Sequence, residues 1–113
     1  MTDSPVILPH HHSEAAQDFC AKLDGEALSE AAEALKCVSD LSRLRIFWFL
    51  CHCEECVLDI AAATDMSSPA VSHHLRLLKG AGLLVSRRKG KEMLYRVADT
   101  PVVSTLKSAV EGL

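Results

Sequence analysis

The chain has 113 residues, of which 49% are hydrophobic, 24% are charged and 4% are aromatic, and its formal net charge is −3. This length suits one domain with a modest core of Ala, Leu and Val, a composition that favours helices. No apolar run approaches the roughly 20 residues of a membrane span. The N-terminus lacks the order of a secretory signal, and a mildly acidic average charge does not suggest a nucleic-acid partner.

The first segment is expected to be a flexible N-terminal arm over residues 1–12, because Pro5 and Pro9 oppose helix formation. Three consecutive histidines end this arm: His10, His11 and His12. Residues 13–113 are expected to form the folded domain.

Three helices are predicted next. Ser13 is a candidate N-cap for the first helix, helical spacing of apolar residues resumes over 26–37, and Ser39 or Asp40 can cap a third helix. The apolar stripe of this third helix is expected to lie in the core, and it consists of Leu41, Leu44, Phe47, Trp48 and Cys51.

The middle of the chain predicts a helix-turn-helix. Residues 57–63 can form a short helix, residues 64–68 form a polar turn, and Pro69 opens a helix that continues to about Lys79. One face of the second helix is apolar: Val71, Leu75 and Leu78.

A β-hairpin is predicted after the helix-turn-helix. Strands are expected over 83–86 and 93–98, with a basic turn over 87–91 between them. A final amphipathic helix then begins near Pro101. The predicted fold is therefore mainly α with a β-hairpin wing, which is a winged helix-turn-helix.

Charge is unevenly distributed along the chain. Between Met66 and Arg96 there are seven basic residues and one acid, Glu92, so this window carries +6 and the remainder of the chain carries −9. The basic window coincides with the second helix of the helix-turn-helix and with the wing. Such localised basic charge indicates binding to duplex DNA, because cationic contacts release condensed counterions.

The same window has a specific family resemblance. Residues 67–84 (SSPAVSHHLRLLKGAGLL) closely resemble the recognition helix of the ArsR/SmtB family of metal-sensing repressors. Residues 87–97 resemble its wing, and residues 40–46 (DLSRLRI) are similar to its second-helix signature. The resemblance covers about residues 26–113. It implies a homodimer, built on the first and last helices, that binds an imperfect inverted repeat and releases it when an inducer binds.

Candidate DNA contacts follow from this organisation, since a recognition helix places its N-terminal residues against base edges in the major groove. On that helix the candidates for bases or phosphates are Ser67, Ser68, Ser72, His73 and Arg76. On the wing the candidates for the backbone or a minor groove are Arg87, Arg88, Lys89 and Lys91. His74 is expected to be a hydrogen-bonded structural histidine instead.

Residues 55–60 (ECVLDI) resemble the metal box of the family. Cys56 and Asp59 are three residues apart, so on a helix they share one face and offer half of a zinc site. The resemblance implies that the arm of the other subunit completes the site, which makes His10, His11 and His12 candidate ligands. A mobile polar tail is the alternative for these histidines.

One departure from the family pattern leaves the metal open. Leu58 stands where the thiol-rich version of the box has a second cysteine. Cys51 and Cys53 could instead join Cys56 in a three-thiolate site suited to cadmium, lead or arsenite rather than zinc. The second metal site of the family, on the last helix, looks absent, since Pro101 stands where a histidine is expected.

The five cysteines indicate a location and an alternative function. An odd number without a signal peptide favours reduced thiols in the cytoplasm. Two roles stay open for Cys20 and Cys37: either they are small buried hydrophobic residues, or they take part in thiol chemistry.

A metal-responsive repressor is the leading hypothesis, and a repressor that senses oxidants or reactive sulfur through its thiols is the alternative. A structural-zinc module without DNA affinity is a third class. No enzyme is expected, because the chain has neither a Gly-rich phosphate loop nor a nucleophile elbow.

Overall fold

The computed structural model describes residues 6–112. The predicted arm thus lies partly outside the described residues, and its described part, residues 6–12, contains no helix or strand. The chain divides into two compact units, residues 1–32 and residues 33–113. In the first unit, α1 spans Glu14–Phe19 and a 3-10 turn spans Cys20–Lys22. Ser13 caps α1 as predicted.

The remaining elements follow in the predicted order. They are α2 (Glu26–Val38), α3 (Leu41–Leu50), α4 (Val57–Thr64), α5 (Ser68–Gly80), β1 (Leu84–Lys89), β2 (Glu92–Val97) and α6 (Pro101–Glu111). This is a helix-turn-helix (α4 and α5) followed by a hairpin and a last helix, which confirms the predicted winged helix-turn-helix. Within residues 6–112, no helix is both long and apolar enough to cross a membrane.

Side-chain caps explain why three of these helices begin where they do. Asp40, Ser67 and Thr100 precede α3, α5 and α6, and each accepts a hydrogen bond from the backbone N–H three residues later, at 3.0–3.3 Å. This contact satisfies one of the donors that a helix start leaves without a partner. Pro69 and Pro101 lie in the first turns, where a missing N–H costs nothing.

The core of residues 33–113 is formed from the inner faces of α3, α4, α5 and the hairpin, together with the end of α2 (Ala34 and Val38) and the start of α6 (Val103). The predicted core face of α5 is confirmed, since Val71, Leu75 and Leu78 are all at most 1% exposed. The predicted core face of α3 was partly wrong. Its buried residues are Ile46, Phe47 and Leu50, whereas Leu41 is 61% exposed and Leu44, Trp48 and Cys51 are only half-buried. The apolar run 46–51 surrounds the helix, so spacing alone did not identify the buried face.

The hairpin is longer than predicted. β1 and β2 pair antiparallel from Leu84 opposite Val97 to Lys89 opposite Glu92, which leaves a turn of two residues. Gly90 begins this turn with φ of +62°, a left-handed value that glycine adopts without steric cost. The expected basic turn over 87–91 is therefore mostly strand.

The connection between α3 and α4, residues 51–56, is joined to the wing. We call it the cysteine segment. The backbone N–H of Glu55 donates to the carbonyl of Tyr95 at 3.1 Å, and the N–H of Tyr95 donates back at 2.9 Å. This isolated bridge aligns the cysteine segment with the outer edge of β2.

Two leucines on α5 test the packing. We expect Leu75→Ala to lower the free energy of unfolding by about 2–5 kcal/mol, because it deletes a fully buried side chain and leaves a cavity. Leu77, 42% exposed on the same helix, is the matched control, and Leu77→Ala should cost about 0.5 kcal/mol or less. Urea denaturation at one fixed protein concentration measures both. Equal losses would contradict the assigned core face.

Candidate DNA interface and cysteine segment

The outer face of α5 is polar and accessible. His73 and Arg76 are exposed and Ser72 is half-buried, while the opposite face of the helix enters the core. Ser67 caps the helix, and Ser68 is its first residue. The five candidate contacts predicted on this helix therefore lie at its start or on its outward side.

His74 lies on the side of α5 that faces α3. Its Nδ1 is 3.3 Å from a terminal nitrogen of Arg43, so the guanidinium donates and a neutral imidazole accepts. This contact confirms the expected hydrogen-bonded structural histidine. Burial is the main cause that lowers the pKa of His74 below its ordinary value, and the charge of Arg43 acts in the same direction.

Arg43 on α3 is a structural residue that the sequence analysis did not single out. Its Nε donates to the carbonyl of Cys37 at 2.7 Å, its backbone N–H donates to the carboxylate of Asp40, and its terminal nitrogen reaches His74. One guanidinium thereby joins the end of α2 to the recognition helix. The backbone N–H of Arg43 is also the main cause that lowers the pKa of Asp40.

The wing continues the basic surface of α5. Lys79, in the last turn of α5, donates to the hydroxyl of Ser86 on β1 at 2.7 Å. Three predicted contacts on the wing are exposed and make no salt bridge within residues 6–112: Arg88, Lys89 and Lys91.

Arg87 is different, because it is paired with an acid that the sequence did not single out. Its Nε donates to both carboxylate oxygens of Glu54 at 2.9 and 3.0 Å, and a terminal nitrogen donates at 2.5 Å. The Nε of Arg96 lies 3.7 Å from the same carboxylate. Hydrogen bonding from Arg87 is the main cause that lowers the pKa of Glu54.

Cys56 and Asp59 are brought together as their spacing predicted. The Sγ of Cys56 is 3.5 Å from Oδ2 of Asp59 at the start of α4. Cys56 is buried, whereas Asp59 is exposed. A thiolate and a carboxylate at this distance are suitable for two of the four positions around a zinc ion.

The other two thiols of the cysteine segment have different surroundings. Cys53 donates to the carbonyl of Phe49 at 3.3 Å, and Cys51 is close enough to Lys107 and Glu111 of α6 to interact with their charges. Burial raises the pKa of both thiols. Over the described residues, no group of three or more His, Cys, Asp or Glu side chains is arranged to hold a metal ion. This conformation thus does not assemble the three-thiolate site.

The remaining candidates belong to the first unit or stand alone. His10, His11 and His12 are exposed, and Nε2 of His11 lies 2.7 Å from the carbonyl of Ser13. Cys20 and Cys37 are free thiols that are half-buried rather than fully buried.

Comparisons with known proteins agree with this geometry. A family model described as "Bacterial regulatory protein, arsR family" matches residues 40–86. The whole chain aligns with 83% of the length of a transcriptional repressor SmtB homolog from Synechocystis sp., and the two are 32% identical over this alignment. A second relative is a cadmium resistance transcriptional regulatory protein CadC homolog from Staphylococcus aureus. It is 36% identical over an alignment that covers 71% of this chain and 67% of that protein.

A solved structure is similar as well. It is a homodimeric winged helix-turn-helix DNA-binding domain from Mycobacterium bovis, with a TM-score of 0.68 and 29% identity. The similarity covers 94% of this chain and 88% of that one.

The contact between His74 and Arg43 predicts a pH dependence of stability. Because the pKa of His74 is lowered on folding, the unfolded chain binds its proton first, and stability is lost as the pH falls from above about 6.5 through the folded pKa. We expect His74→Gln to reduce the difference in urea midpoint between about pH 7.5 and pH 5.5. His10→Gln, which changes an exposed histidine that takes no part in this contact, should keep the wild-type difference. The same pH dependence in all three proteins would contradict the assignment.

Proposed function

Since the chain belongs to the arsR family of bacterial regulatory proteins, a family of transcriptional regulators and not of enzymes, we propose that it represses transcription in response to a metal or metalloid. It binds an inverted-repeat operator in double-stranded DNA as a homodimer and leaves the DNA when the inducer binds. One observation carries this proposal. The seven basic residues that give residues 66–96 a net charge of +6, against −9 for the rest of the chain, all lie on the accessible surface of α5 and the wing.

Two kinds of DNA contact are proposed. Ser68, Ser72 and His73, with Arg76, reach base edges or nearby phosphates from the first turns of α5, and Ser67 with the helix N-terminus suits a phosphate. On the wing, Arg87, Arg88, Lys89 and Lys91 follow the backbone or enter a minor groove. The bases read by α5 then supply specificity, and the wing supplies affinity that depends little on sequence.

A homodimer is proposed through the first and last helices. The related domain from Mycobacterium bovis is homodimeric. In this chain, the segment from the end of α1 to the start of α2 exposes large apolar side chains that a partner would cover: Phe19 is 57%, Leu23 66% and Leu28 52% exposed. Two-fold symmetry would place two recognition helices in successive major grooves of a palindromic site.

The inducer site is proposed at the start of α4. Cys56 and Asp59 supply two ligands, and imidazoles from His10, His11 and His12 of a second subunit would complete a zinc site. Cys51 and Cys53 are the proposed additional ligands for cadmium, lead or arsenite, which favour sulfur. They would have to move closer to Cys56, because the described conformation does not group the three thiols around a metal position. A bound ion would hold these ligands in one fixed geometry, and this constraint is the chemistry that it would supply.

Repression and induction are proposed to be coupled through the dimer. Ligands that join the two subunits favour a quaternary arrangement that no longer fits two successive grooves. By linkage, DNA must weaken binding of the inducer by the same factor, commonly about 1–3 kcal/mol of coupling. Because its proposed partner is the operator, we propose that the protein acts beside the chromosome in the cytoplasm.

Thiol sensing is the alternative for the same fold. It is suggested by the five free thiols and by the lack of three clustered ligands within the described residues of one chain. Against it, burial raises the pKa of Cys51 and Cys53, and a reactive thiol ordinarily has a lowered pKa. Metal sensing is therefore the better supported proposal.

Lys89 tests the DNA interface. We expect Lys89→Ala to weaken binding of an operator selected from a random-sequence library and of a scrambled duplex by the same factor, because a lysine on a phosphate reads no sequence. The slope of log K against log salt should fall by about one unit per lost contact. Lys36→Ala, on exposed α2, is the control and should change neither quantity. Unchanged affinity and slope for Lys89→Ala would exclude a wing contact at this residue.

Cys56 tests the inducer site. Zinc, cadmium, lead and arsenite are titrated into the DNA complex under reducing conditions, and release is followed by fluorescence anisotropy. We expect Cys56→Ser to raise the concentration of the releasing ion that is needed for half-maximal release from DNA. The increase should exceed the roughly 10- to 100-fold loss of metal affinity that follows when only a hydrogen-bond partner of a ligand is removed. Cys37→Ser, outside the cysteine segment, should respond as wild type.

The same assay distinguishes the alternatives. In a variant with both Cys51→Ser and Cys53→Ser, cadmium, lead and arsenite could fail to release the protein from DNA while zinc still does. That result would assign the two thiols to a sulfur-rich site. Release by an oxidant in metal-free buffer, with no release by any of the four inducers, would overturn metal sensing in favour of thiol sensing.

A further inference from the structure

The ion pair between the cysteine segment and the wing has a consequence for DNA binding. Arg87 and Arg96 lie on one face of the hairpin, because Arg87 is opposite Leu94 and Arg96 is two residues further along β2. Glu54 contacts both guanidiniums. Two basic residues of the wing are therefore partly neutralised by an acid from outside the wing.

The geometry of Arg87 makes this pairing competitive with DNA. Its Nε and one terminal nitrogen donate together to the carboxylate, in the two-donor arrangement that arginine also uses on a phosphate. A carboxylate and a phosphate cannot occupy that edge of the guanidinium at once. We propose that Glu54 is an internal competitor for DNA phosphate, which limits the contribution of Arg87 and Arg96 to operator binding.

The backbone keeps the competitor in place. Glu55, the next residue, is held to Tyr95 of β2 by two hydrogen bonds, so Glu54 moves with the wing and stays beside its guanidiniums at high effective concentration. Glu54 also lies between Cys53 and Cys56. A rearrangement of the cysteine segment would therefore alter the availability of the two arginines without any contact between an inducer and the wing.

The test compares two charge-neutralising substitutions. Glu54→Gln keeps the size of the side chain and removes its charge, and Glu92→Gln does the same at an exposed acid of the wing that makes no salt bridge in the described part of the chain. Both raise the net charge by one. We expect Glu54→Gln to tighten binding of a selected operator and a scrambled duplex alike, by up to about fivefold per wing beyond Glu92→Gln.

A background without the two arginines completes the test. In a variant with Arg87→Ala and Arg96→Ala, Glu54→Gln should bind DNA no more tightly than Glu92→Gln does. A gain from Glu54→Gln that equals the control, or persists in that background, would overturn the proposal. So would weaker binding by Glu54→Gln, because the carboxylate would then orient the arginines for DNA. Glu54→Ala gives the same comparison if circular dichroism shows that the glutamine variant is not folded.

The inference rests on the proposed function, and their failures are distinguishable. A wild-type protein that binds neither duplex in a salt-dependent manner would refute DNA binding itself. Salt-dependent binding by the wild type, with equal effects of Glu54→Gln and Glu92→Gln, would refute only the competition.

Discussion

Burial of one face of α5 is the constraint on which the rest of the structure depends. Val71, Leu75 and Leu78 enter the core of residues 33–113, and this fixes the rotation of the helix about its axis. The opposite face must then carry Ser72, His73 and Arg76 outward. Because the packing is hydrophobic and the outer face takes no part in it, the outward residues are free to be chosen for a ligand rather than for stability.

The sequence predicted the fold wherever local chemistry decides it. Asp40 and Ser67 are residues that satisfy a helix start, and the spacing of apolar residues on α5 left one possible buried face. Prediction was weaker where local chemistry is ambiguous. The apolar run in α3 offers no contrast between faces, and the length of the hairpin depends on whether Gly90 makes a tight turn, a choice decided by pairing between strands.

The candidate site divides in the same way. The basic surface of α5 and the wing could be read from the order of charges, because neighbouring residues share an element. Arg43 and Glu54 could not, since their partners are 31 and 33 residues away in the chain. Spacing also predicted that Cys56 and Asp59 share a helix face, but it gave no information on Cys51 and Cys53, which precede the helix and have no periodic orientation.

The bridge between Glu55 and Tyr95 has a consequence for the solubility of the protein. It occupies part of the outer edge of β2, so β1 is the more open edge of the hairpin. An open strand edge is a template for pairing with another chain, and charged side chains are one means by which proteins prevent it. Arg87, Arg88 and Lys89 stand in succession on β1. The same positive charges that suit a phosphate backbone thus oppose pairing with a second copy of the strand, so a substitution that removes them would affect DNA affinity and resistance to aggregation together.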